Sequence, residues 1–73
     1  MKTSRKIKMF RSIHNLTQQE LAEKLGVAFA TVNRWERGHY EMSPLAEKGL
    51  SALGIKLREE EEKEITSLEK AIE

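Results

Sequence analysis

Four side chains within one short stretch have the chemistry to read base edges: Phe29, Ala30, Asn33 and Arg34. An arginine guanidinium can donate two parallel hydrogen bonds to guanine. An asparagine amide can pair with adenine, and small apolar groups can touch the thymine methyl. At about 100° per residue, these four share one side of a helical wheel with Arg37. Ala28, Val32 and Trp35 gather on the opposite side, with Thr31 and Glu36 at the two borders. The spacing predicts a helix from Phe29 to Glu36 or Arg37. One side of it is apolar and buried, and the other is narrow enough to enter a major groove. On this wheel Trp35 belongs to the core rather than to a ligand site.

Other chemistry is poorly supplied. There is no Cys, so thiolate zinc sites, thiol nucleophiles and disulfides are excluded. His14 and His39 are far apart, and without Cys or Asp beside them they make a poor metal site. Glu59–Glu62 could suggest paired acid and base, but successive helical residues point in different directions, which fits a solvated charged side. No Ser/His/Asp arrangement and no phosphate-binding glycine loop is present. The expectation is a protein that is not an enzyme and holds neither cofactor nor metal.

The elements that must position the four residues are helices. The first is expected from an N-cap at Thr3 or Ser4 to His14, with Ile7, Phe10 and nearby Ile13 inward and Asn15 closing it. The second starts on a capping box, Thr17-Gln18-Gln19-Glu20, and ends at Gly26. Leu21, Ala22 and Leu25 form its apolar stripe. Gly38 ends the third. Ser43-Pro44 opens a fourth, with Leu45, Ala46, Gly49, Leu50 and Leu53 inward and Gly54 as the stop. Gly49 suggests a close helix–helix approach. Ile55–Glu73 is expected as a further, charged helix. Its Ile65, Leu68 and Ile72 form a short seam, either for a dimer or as part of a frayed, solvated tail.

The chain has 73 residues, enough for one small domain whose core is worth about 3–5 kcal/mol net. Its 13 Lys+Arg and 12 Asp+Glu give a net charge of only +1. The charges are segregated. Residues 1–58 carry 11 basic and 5 acidic side chains, whereas residues 59–73 carry 2 basic and 7 acidic. A basic body suits an anionic polymer, although charge also serves solubility. The basic N-terminus reads either as a backbone-contacting arm or as a solubilising end. No apolar run is long enough to span a bilayer or to serve as a signal-peptide core, so a cytoplasmic protein with no membrane partner is expected.

The string L-T-Q-Q-E-L-A-E-K-L-G-V, followed by T-V-N-R-W-E-R-G, resembles the lambda-repressor-like, Xre-type helix-turn-helix family over about residues 4–54. The resemblance implies an all-α fold: a compact four- to five-helix domain over residues 1–56, with an additional charged C-terminal helix over 57–73. It makes the helix at Phe29 the recognition helix, with Phe29, Ala30 and Arg34 facing bases and Asn33 nearby. It implies phosphate contacts at Gln18 and Arg37, with Thr17, Thr31 and His39 as further candidates. It also implies a partly buried ion pair between Arg11 and Glu36. Two positions depart from the family pattern. Ala28 offers no cap to the recognition helix, and Phe29 stands where polar residues are common, as a contact to a thymine methyl or to a protein.

The function so implied is a homodimeric, sequence-specific regulator of transcription on double-stranded DNA, with repression as the default and activation equally compatible. Two alternatives use the same fold: an antitoxin or adaptor binding a protein partner through the C-terminal segment, or the DNA-targeting module of a larger enzyme.

Overall fold

Three left-handed residues punctuate the first half of the chain: Asn15 at φ 54°, Gly26 at φ 73° and Gly38 at φ 79°. Each ends a helix, and in each case the next amide donates back to a carbonyl of the helix's last turn. Leu16 donates to Arg11, Val27 to Ala22 and His39 to Arg34. The computed structural model describes residues 2–72. It contains α1 (Thr3–His14), α2 (Gln18–Leu25), α3 (Phe29–Arg37) and α4 (Pro44–Ile72), with no strand among the described residues. The fold is all-α, and α2, its turn and α3 form a helix-turn-helix. Glu73 and the side chain of Ile72, which closes the expected seam, lie outside the described part.

The core collects Ile7 from α1, Leu21 and Ala22 from α2, Val32 and Trp35 from α3, Met42 from the loop, and Leu50 from α4. Phe10, Leu16, Leu25, Val27, Ala46 and Leu53 pack around it. Small Ala22 lets α2 and α3 approach, and Val27 seals the turn between them. Ile13 and Leu45, expected inward, are instead 70% and 79% exposed, and Ala28 is also exposed. Each sits near a helix end, where the wheel's apolar side runs past the neighbouring helices.

The N-terminus of α1 is not capped by its own sequence. Lys2 occupies the N-cap position without a side-chain cap bond, and Thr3 is buried. The Thr3 N–H donates to Glu41 Oε2 at 3.2 Å, and the Thr3 hydroxyl donates to the same oxygen. The Met42 N–H in turn donates to Thr3 Oγ1 at 2.9 Å. A carboxylate 38 residues away thus caps α1 and ties down the loop after α3. The expected capping box at α2 is formed, with the Glu20 N–H donating to Thr17 Oγ1 and the Thr17 N–H to Glu20 Oε1, both at 3.0 Å.

These bonds hold both carboxyls below the usual range. The Thr3 hydroxyl, then its N–H, lowers Glu41, and the Thr17 N–H, then its hydroxyl, lowers Glu20. A folded pKa below the unfolded value adds stability that is complete above the ordinary glutamate range. That stability is lost as pH falls through the folded value. The thermal midpoint is therefore expected to be level near neutrality and to fall on acidification below about pH 4.3. In Glu41→Gln the acid-side fall should be shallower and the neutral-pH midpoint lower. An unchanged acid-side slope in that variant would show the bonds do not matter.

Gly54 does not stop the fourth helix. The segments expected as a fourth and a fifth helix are one continuous α4, which begins with the Ala46 N–H donating to Ser43 Oγ at 3.1 Å. A Cβ at Gly54 would lie 3.2 Å from Phe10 Cε2, so the glycine makes room for the Phe10 ring. Three residues later Leu57 is again buried, which rewards continuing the helix. Gly49 has the reverse fate: no atom lies near its missing side chain, so it marks no close approach. Three contacts align α1 and α4 in parallel: Lys6 Nζ with Glu47 at 3.1 Å, Phe10 with Gly54, and His14 Nδ1 with Glu61 at 3.3 Å. His14, read as a surface residue, packs tilted against Phe10 with ring centres 4.6 Å apart, and its side chain is only 11% exposed.

Candidate nucleic-acid interface

α3 is fixed to the body from behind. Val32 is fully buried and Trp35 is 8% exposed. Arg11 grips Glu36 with two charge-assisted bonds, Nε to Oε2 at 2.8 Å and Nη2 to Oε1 at 2.7 Å. Its remaining Nη1 donates to the Leu16 carbonyl at 3.0 Å. The pair with Glu36 raises the Arg11 pKa above its ordinary value, so the guanidinium is always charged. Ser4 Oγ donates to the Glu36 carbonyl at 2.6 Å. The implied ion pair is present and links α1, the α1–α2 turn and the end of α3.

With Val32, Trp35 and Glu36 turned inward, the opposite side of α3 faces solvent. Phe29, Ala30, Asn33, Arg34 and Arg37 line one shallow concavity with His39 and Tyr40 from the following loop. Phe29 is 46% exposed, and Ala30, Arg34, Arg37 and His39 are exposed. No carboxylate lines this surface, whereas two guanidinium groups do. A helix presenting two arginines, an amide and an apolar leading edge can offer hydrogen-bond donors and methyl contacts to a groove.

The phosphate candidates fall at its margins. Gln18 opens α2, where the first amide N–H groups of a helix have no partner within it and can bind an anion. Thr17 is exposed, but its hydroxyl is occupied by the Glu20 amide. Thr31 lies aside, in a small recess with Arg34, Trp35 and Tyr40. Ala28 gives α3 no side-chain cap, as its residue type indicates.

Two links were not legible in the sequence. Asn33 Nδ2 donates to Gln18 Oε1 at 3.2 Å, joining a base-reading candidate to a phosphate candidate across the two helices. The Arg34 guanidinium stands 6.0 Å above the centre of the Tyr40 ring, a cation–π distance. The sequence does not mark Tyr40 as a partner of α3. Its separation of six from Arg34 gives no helical-face signal, because the left-handed Gly38 turns the chain back.

A bihelical unit with such an outward side defines a helix-turn-helix domain. Residues 7–59 match the family model described as Helix-turn-helix. The chain belongs to that helix-turn-helix family and has its all-α, lambda-repressor-like fold. It is also 44% identical over 55 residues to a protein of Methanocaldococcus jannaschii described as an uncharacterized HTH-type transcriptional regulator. The matched region covers 74% of this chain and 83% of that relative. No solved structure matches the chain. No helix among the described residues is long and apolar enough to cross a membrane.

Proposed function

We propose that this protein is a DNA-binding regulator of transcription that reads the major groove with the outward side of α3. Family membership and the relative's description support the DNA-binding regulator. The observation that carries the finer reading is the cluster of exposed Phe29, Ala30 and Arg34 with half-buried Asn33, held from behind by buried Val32, Trp35 and Glu36. Arg34 reads guanine, Phe29 and Ala30 contact thymine methyl groups, and Asn33, bonded to Gln18, reads adenine. Gln18, Thr17, Thr31, Arg37 and His39 meet the phosphates on either side. Two copies read two half-sites about one helical turn apart, and occupying the site represses by exclusion.

Salt dependence tests the binding mode. The affinity of the protein for duplex DNA is expected to fall steeply with salt, linearly on logarithmic axes, with a slope of about −0.9 per phosphate contact. Binding that is absent at low salt, or indifferent to salt, contradicts this function.

A further inference from the structure

Two surfaces that share no residue with the α3 concavity have matching chemistry. The stripe of α4 that packs on the body passes through buried Leu50 and Leu57 to Glu61. Steps of four and seven carry the same stripe on to Ile65 and Leu68. Those two are 56% and 64% exposed. The positions beside them, 62, 64 and 69, are all Glu. The second surface is the outer side of α1. Arg5, Met9 and Ile13 stand in line, one turn apart, with Lys8 beside them. Met9 is 45% exposed, Ile13 is 70% exposed, and Arg5 and Lys8 are exposed. The described ion pairs engage Lys6 and Arg11 of α1 but neither Arg5 nor Lys8.

The first surface cannot fold onto the second within one molecule. α1 and α4 run parallel and meet for the last time at His14 and Glu61, where α1 ends. The turns of α4 beyond Glu61 therefore project past α1, away from Arg5. We propose that two copies of this chain pair reciprocally, the outer turns of α4 of each lying across the Arg5–Met9–Ile13 side of α1 of the other. The proposal rests on the two-copy reading above. Ile65 and Leu68 cover Met9 and Ile13, and the flanking glutamates face Arg5 and Lys8. Pairing α4 with α4 is electrostatically disfavoured. In parallel it sets Glu64 against Glu69 of the second helix, and antiparallel about Ile65 and Leu68 it sets Glu62 against Glu69.

Sedimentation equilibrium of the full chain, with helicity checked by circular dichroism, tests the arrangement. The wild type is expected to be a dimer that weakens as ionic strength rises. The double variants Arg5→Glu/Lys8→Glu and Glu64→Lys/Glu69→Lys should each weaken it about tenfold or more at low salt. Mixed together, the two variants should recover a dimer, because every contact then joins opposite charges. A dimer untouched by the α1 variant would overturn the proposal and, if Glu69→Lys alone tightened it by setting opposite charges together across two parallel helices, would mean α4-on-α4 pairing. A dimer indifferent to both variants would overturn it and leave the two-copy reading standing. A monomeric wild type would overturn both.

Discussion

Glu36→Ala should leave much of the protein unfolded at ambient temperature. Glu36 is buried, and it is the sole carboxylate on the Arg11 guanidinium among the described residues. Removing one member of a buried pair costs about 3–5 kcal/mol, because the other is left charged without its partner. Arg11 is one quarter exposed, so water recovers part of that, and the lower end of the range applies. Even so, the loss rivals the whole net stability of a domain this small, about 3–5 kcal/mol. Arg11→Met should cost at least as much, because the carboxylate it strands is 5% exposed whereas the guanidinium is 25% exposed and keeps its bond to the Leu16 carbonyl. Denaturant melts of both variants check this. A change below about 1 kcal/mol for Glu36→Ala, the value of an exposed pair, would show that the link does not hold α3.

The Arg34→Ala variant should lose about 1–3 kcal/mol of binding to its preferred sequence, roughly five- to 150-fold, while binding to unrelated duplex hardly moves. The guanidinium is exposed and lies over Tyr40, so its removal leaves the core untouched and the melting midpoint should be that of the wild type. Arg37→Ala should behave differently, weakening binding to all sequences alike and flattening the salt dependence. Equal loss on every sequence in both variants would place Arg34 on phosphate and remove it from base readout.

The parts of this fold that the sequence specifies locally are those it made legible. The Thr17 capping box, the left-handed Asn15, Gly26 and Gly38, and the Val32/Trp35 spacing each act within a few residues, and all appear as expected. The outward placement of Phe29, Ala30 and Arg34 follows from the same local periodicity. Features decided between elements were not legible. Gly54 reads as a helix stop, because a glycine's local preference carries no sign of the Phe10 ring packed against it. Thr3 reads as its own helix cap, yet its hydroxyl serves the loop at Glu41 and Met42. The Asn33–Gln18 bond requires two helices at a particular crossing, and wheel positions do not supply one.

Selection of bound sites from a random duplex pool, carried out in parallel with the wild type and with Arg34→Ala, tests base readout by α3 most directly. The wild type should enrich a palindromic consensus with a guanine in each half-site, and the variant should lose preference at that position while keeping the others. No enrichment by the wild type, or the same consensus from both proteins, would contradict the account.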